Sequence, residues 1–169
     1  MKKETNIIGR AEKIAFPRQN LENIPAKIDT GAKTSAIWAS EIVEDNQGVL
    51  SFYLFGRKTP YFNGQKIVTK SFTQTIVTSS MGMTQKRYVV KLVVKLADRK
   101  IRASFTLADR THQIYPVLIG RNILRGKFIV DVKEGTPLEK KEKAHDLAVK
   151  YTLKSGRKGD NSDEDSNLI

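Results

Sequence analysis

Over most of its first 133 positions the chain alternates apolar and polar residues in short runs separated by turn residues. A period of two places successive side chains on opposite faces, so these runs predict half-buried β-strands. Residues 7–16 predict a first strand ended by Pro17, and residues 20–23 turn the chain into an apolar run, 24–28, that stops at Asp29. Another extended segment begins at residues 35–39, and the Glu-Asp-Asn-Gln-Gly stretch at 44–48 marks a turn before a strand at 49–55. Asn63-Gly64, between residues 59–62 and 65–68, is the dipeptide that a type I′ hairpin favours. Residues 71–78 and 87–96 then read as two arms whose small-residue centre, around Ser79 to Met83, is a hairpin tip. Residues 97–100 turn the chain into a strand at 101–107, residues 117–119 predict a buried strand followed by a helix-like turn near Arg121, and residues 127–132 form a last short strand. Trp38 reads as core or interface packing. Past Pro137 the period changes. Good helix formers and pairs such as Glu139 with Lys143 predict a short solvated helix over 138–150, and residues 155–166 are too polar to bury a core face and are expected to be disordered.

Two strings carry the chemistry. Asp29-Thr30-Gly31-Ala32 follows the apolar run and precedes Lys33-Thr34-Ser35-Ala36. A strand ending this way delivers a carboxylate to the floor of a cleft, on a turn whose N–H groups point towards it. Gly31 allows close backbone approach, and the Thr30 hydroxyl can bond main chain across the site. Alone, this string equally describes a strand ending in a tight turn. The second string is Val117-Leu118-Ile119-Gly120-Arg121-Asn122. Together the two resemble the retropepsin-type aspartic proteases, in which an apolar-apolar-Gly strand threads the loop that bears the catalytic Asp. With Ile8-Gly9-Arg10, the longer string from Ala26 to Ala36, and Leu107-Ala108-Asp109-Arg110, the chain is more closely similar to a bacterial branch labelled ATP-dependent zinc proteases, over about residues 6–133.

That resemblance implies an all-β fold, a closed and mostly antiparallel retropepsin-like barrel with one short helix, occupying residues 6–133 and followed by a charged helix and tail at 134–169. It implies Asp29 as the catalytic acid, with Thr30, Gly31, Ala32, Thr34 and Ser35 as its loop. Leu118, Ile119, Gly120, Arg121 and Asn122 would support that loop, and by their place in the order Ser79, Ser80, Met81, Gly82 and Met83 are the candidate flap. The chain is longer than the compact viral enzymes, and the extra length is expected within residues 40–75. Asp109 and Arg110 are read as a structural ion pair with Arg121 or its neighbours.

Aspartic proteolysis needs two carboxyl groups about 3 Å apart sharing one proton. The chain holds one Asp-Thr-Gly, and Val130-Asp131-Val132 lacks the hydroxyl and glycine that follow Asp29. The second acid is therefore expected from another copy, in a two-fold homodimer across the active site. Strands near the termini would help to hold it, residues 127–132 being the better candidate. The zinc and ATP labels find little in the residues. His112 and His145 are the only histidines, no His-Glu-x-x-His occurs, and no Gly-x-x-x-x-Gly-Lys-Ser/Thr loop is present. No cofactor and no metal is expected.

The 169 residues contain no cysteine, no secretory leader pattern and no apolar stretch near the ~20 residues of a membrane span. A soluble cytoplasmic protein is expected. The net charge is +12, and because residues 134–169 hold 7 Lys/Arg and 8 Asp/Glu, the first 133 residues carry 23 against 10, a net +13. Such a field attracts nucleic acid, anionic membrane or acidic peptides. The bacterial branch is associated with ATP-grasp ligases that append glutamates to proteins, which makes acidic, glutamate-rich chains the substrates it implies; Lys27 and Lys33, which bracket Asp29 in sequence, are the candidates to meet them or else solvated surface lysines. Two other classes stay open: an inactive barrel serving as a binding or scaffold module, and a basic RNA- or ribosome-binding protein. The latter would lack the aromatic and basic interleaving of single-strand platforms.

Overall fold

The computed structural model describes residues 5–78 and 81–156. Its strands, in chain order, are β1 (Asn6–Ile8), β2 (Ala11–Phe16), β3 (Leu21–Ile28), β4 (Ser35–Glu44), β5 (Leu50–Leu54), β6 (Lys66–Thr69), β7 (Phe72–Thr78), β8 (Thr84–Leu96), β9 (Arg99–Ala108), β10 (Val117–Ile119) and β11 (Phe128–Val130). Two α-helices, α1 (Arg121–Leu124) and α2 (Glu139–Gly156), and a 3₁₀ turn at Pro17–Gln19 complete the order.

Six strands close on themselves. β10 runs parallel to β3, β3 antiparallel to β2, β2 meets β8 at Ala15 and Lys95, β8 pairs with β9, β9 runs parallel to β4, and β4 returns antiparallel to β10. Closure removes sheet edges and leaves one interior to fill. The alternation read from the sequence supplies the filling: Ile14, Phe16, Ile24, Ile37, Phe52, Leu96, Phe105, Leu107 and Ile119 are fully buried. Each such side chain contributes roughly 1.5–3 kcal/mol on leaving water. Phe16 and Phe105 meet edge to face with centroids 5.6 Å apart. The expected closed, all-β barrel with one short helix near Arg121 is the fold.

Two elements project from this ring. β7 pairs only with β8, from Phe72↔Val90 to Thr78↔Thr84; the first three residues of β8 are exposed, the next three half-buried, and Val90 enters the core. β5 and β6 extend the far half of β4. β5, β6 and their connection lie within residues 40–75, where extra length was expected, whereas most of the β7–β8 hairpin lies beyond them.

Local details differ from the sequence reading. Asn63-Gly64 does not join two strands, because β6 pairs with β5 across a long connection. Gly64 does take φ +73, and the Asn63 side chain closes its turn by accepting from the Gln65 N–H and donating to the Gln19 carbonyl. The first strand is split at Gly9 and Arg10, where the chain crosses residues 134–136. A Cβ on Gly9 would stand 1.9 Å from the Glu134 carbonyl oxygen, and Thr136 N–H donates to the Ala11 carbonyl at 2.7 Å. The first compact unit therefore runs to Pro137 rather than 133, and a second begins at Leu138. In that second unit α2 continues to Gly156, past the predicted end at 150, since Tyr151 to Lys154 contain no helix breaker. The rest of the expected tail, residues 157–169, lies outside the described residues.

β1 and β11 form their own parallel pair, Ile7 opposite Ile129, with both of these side chains exposed. No helix among the described residues is long and apolar enough to cross a membrane.

Candidate active site

β3 ends at Ile28, and the next residue begins a loop that β10 holds from beneath. Asp29 N–H donates to the Ile119 carbonyl at 2.9 Å, continuing the β3–β10 ladder into the loop. The loop then folds back on the carboxylate, with the Gly31 and Ala32 N–H groups donating to Asp29 Oδ1 at 3.0 and 3.2 Å. Among the described residues Oδ1 carries these bonds and Oδ2 carries none, so one oxygen is anchored and the other is left to accept from outside the loop. Thr30 is exposed beside it.

The following turn is fixed by α1. Arg121 N–H donates to the Ala32 carbonyl at 2.8 Å and Asn122 N–H to the Lys33 carbonyl at 3.2 Å. Arg121 also reaches over the loop, its Nη1 donating to the Thr30 and Gly31 carbonyls at 3.1 and 2.7 Å. Gly120 is where the two strings touch. A Cβ there would lie 2.6 Å from the Thr34 carbonyl oxygen, closer than packed atoms approach.

Beneath them Ser35, wholly buried, joins both strings: its hydroxyl donates to Asn122 Oδ1 at 2.7 Å and accepts from Gly120 N–H at 2.9 Å. Asn122 then donates to the Ser104 carbonyl at 2.9 Å. Ser35→Ala strips the partner from a buried N–H and is expected to cost about 1–3 kcal/mol, read as a lower midpoint in urea unfolding.

The structure thus brings Asp29, Thr30, Gly31, Ala32, Thr34 and Ser35 together with Ile119, Gly120, Arg121 and Asn122. Leu118 lies between β3 and β4, opposite Lys27 and Ala36. Of the candidate flap, Met81, Gly82 and Met83 sit at the β7–β8 tip, Met81 86% exposed and Gly82 at φ +77; Ser79 and Ser80 lie outside the described residues.

Asp109 and Arg110 do not form the expected ion pair with Arg121. The hydroxyl and the N–H of Thr111 donate to the Asp109 carboxylate and hold its pKa below the usual range. Arg110 Nε donates to the Tyr115 carbonyl, and burial, with Arg87 nearby, lowers its guanidinium pKa. Trp38 is half-buried and packs against the core, its ring lying against Gly56. It walls a cavity of about 480 Å³ with the β8 arm of the hairpin at Gln85 to Tyr88 and with Asp109 and Thr111. Asp29 does not line that cavity. Nor does any local pattern announce that Glu44 ties the hairpin to the end of β4, accepting from Tyr88 Oη at 2.8 Å and Gln74 Nε2 at 3.0 Å. Among the described residues no three His, Asp or Glu side chains gather as a metal ion would require.

Residues 7–141 match the RimB-like family, described as retropepsin-like aspartic endopeptidase RimB. The chain belongs to the RimB-like family. This RimB-like chain is 33% identical over 162 residues to a Shewanella pealeana protein named "Probable alpha-L-glutamate ligase", across 90% of its own length and 34% of the relative. A Desulfotalea psychrophila protein of the same name is 29% identical over 160 residues, across 90% of the chain and 33% of that relative. The chain therefore spans about a third of the length of these curated relatives. Among solved structures, a Legionella pneumophila protein of unknown function superposes with a TM-score of 0.61 at 26% identity, covering 78% of this chain and 97% of that one.

Proposed function

We propose that the RimB-like chain hydrolyses peptide bonds as a homodimer in which each copy supplies one Asp29. The observation that carries this is the Asp29 loop itself: a carboxylate anchored through one oxygen by Gly31 and Ala32, with the other oxygen open to a partner. One ionised Asp29 takes a proton from a water held between the pair, and the protonated Asp29 polarises the scissile carbonyl. The water oxygen bonds to the carbonyl carbon as the carbonyl oxygen takes the proton of the second Asp29. Collapse of the resulting diol breaks the C–N bond, the leaving nitrogen taking the proton that the first Asp29 removed from water and the second Asp29 recovering a proton from a diol hydroxyl. No covalent enzyme intermediate forms. The projecting β7–β8 hairpin, with Met81 to Met83 at its tip, supplies a cover for bound peptide.

Support for the dimer comes from the β1–β11 pair, whose outward Ile7 and Ile129 give a second copy an apolar strip to cover. The absence of cysteine suits a reducing cytoplasm.

The substrate we infer is acidic and glutamate-rich. Lys27 and Lys33 flank Asp29 and both are exposed, on a segment with a strong net positive charge. The longer relatives carry a glutamate ligase name, so a peptidase unit acting on the products of such a ligase is a coherent functional link. An oligoglutamate-tailed peptide is expected to be cleaved faster than a neutral peptide of equal length, with the advantage shrinking as salt shortens the Debye length from ~30 Å at 0.01 M to ~8 Å at 0.15 M. Equal turnover of both peptides at every ionic strength would remove the acidic substrate from the proposal.

A further inference from the structure

A cavity of about 420 Å³ opens beside the Asp29 loop, walled by Lys33, Arg121, Asn122, Arg125 and Lys127. Four of these five walls are cations, and no acid lines it. The Asn122 amide is already committed to Ser35 and Ser104. Arg121 uses Nη1 on the loop carbonyls, which leaves other guanidinium donors, and Lys127 Nζ reaches the Arg125 carbonyl only at 3.4 Å. None of the four cations forms an ion pair with a described residue.

Four like charges around one small volume repel each other until an anion enters. A single carboxylate would neutralise one of them. The space, large enough for a small ligand, calls for a compact group carrying several charges. The walls offer no aromatic face for a base to stack on and no apolar side chain for a hydrophobic body. Two guanidinium forks and two ammonium groups match phosphate oxygens, the forks two at a time and the ammonium groups as point charges.

We propose that this pocket binds a compact polyphosphate, either free or as the phosphate tail of a larger molecule. Arg121 links the site to Asp29. The same side chain that would meet the phosphate holds the Thr30 and Gly31 carbonyls, so occupancy bears directly on the order of the loop. The proposal does not depend on peptide hydrolysis, and the Asp29→Asn protein is expected to bind polyphosphate as the wild type does.

The test is calorimetric titration of the full chain with inorganic tripolyphosphate at physiological salt, with triglutamate and a nucleoside triphosphate as parallel ligands. Tripolyphosphate is expected to bind more tightly than triglutamate, and the nucleoside triphosphate no more tightly than tripolyphosphate. Arg125→Glu with Lys127→Glu is expected to weaken binding by roughly tenfold or more for each charge-assisted hydrogen bond removed. Arg125→Lys with Lys127→Arg should retain it, which guards against a variant that merely misfolds. Lys66→Glu with Lys70→Glu, the same charge change at the edge strand β6, which reaches β4 only through β5 at residues 39–44, should leave it within about twofold, as surface charges far from a site do. Binding is also expected to slow amide exchange at Gly31 and Ala32. Equal weakening by the two reversal pairs would reduce the site to diffuse surface charge, and triglutamate binding as tightly as tripolyphosphate would overturn the phosphate assignment. A nucleoside triphosphate binding more tightly would overturn a pocket that reads phosphate alone, and unchanged exchange would overturn the link to the loop.

Discussion

Asp29→Asn is expected to abolish peptide hydrolysis and leave the fold intact. The amide keeps an oxygen where Oδ1 accepts the Gly31 and Ala32 N–H groups, so the anchoring of the loop survives. What disappears is the ability to take a proton. A positioned general base is worth ~10²–10⁴-fold, and in a symmetric dimer the substitution removes both acids at once, so the fall lies at or beyond the upper end of that range. Turnover of an oligoglutamate peptide and a thermal melt of the same preparation check the two halves of the expectation. Wild-type turnover by the variant would make Asp29 a turn residue and nothing more.

Gly120→Ala is expected to be the most damaging single methyl within the two strings that form the site. Its Cβ would lie 2.6 Å from the Thr34 carbonyl oxygen, 2.7 Å from the Thr34 carbonyl carbon and 2.9 Å from the Ala32 carbonyl oxygen. All three are backbone atoms, so no side chain can swing aside. Relief requires β10 to move away from the Asp29 loop, which stretches the Arg121-to-Ala32 and Gly120-to-Ser35 bonds. Overpacking of this kind costs ~1–3 kcal/mol before those bonds weaken, and activity should fall further than stability because the loop is what shifts. Urea unfolding and peptide turnover, measured together, decide it. A variant as stable and as active as the wild type would show that the packing between the two strings is slack.

Much of the barrel was legible because its strands are half-buried, and half-burial writes period two into the sequence. Residues 87–96 announced β8 and residues 101–107 announced β9 in this way. Asn63-Gly64 misled for a physical reason: an Asn side chain that closes its own turn and a glycine at φ +73 suit any tight loop, and only the pairing of β6 with β5 shows which strands are joined. Gly9 was visible as a glycine but not as a crossing point, since its neighbour Glu134 lies at the other end of the folded unit. The Asp29 string and the Gly120 string could be found because each is local. The Ser35 bond to Asn122 spans 87 positions, and the Ser104 carbonyl that receives Asn122 has no side-chain signature. For Asp109, Arg110 and Arg121, charge suggested pairing, whereas the geometry gives each a nearer partner: Thr111, the Tyr115 carbonyl, and the carbonyls of Thr30 and Gly31. Charge patterns name candidates, and backbone carbonyls, which every residue carries, often take them.

The most direct test of a site shared between two chains is specific activity followed through dilution, with light scattering reporting the mass of the species at each concentration. Activity per chain is expected to fall in step with the dimer and to vanish where scattering reports only monomer. Undiminished turnover by a monomeric solution would contradict a catalytic pair built from two copies of Asp29.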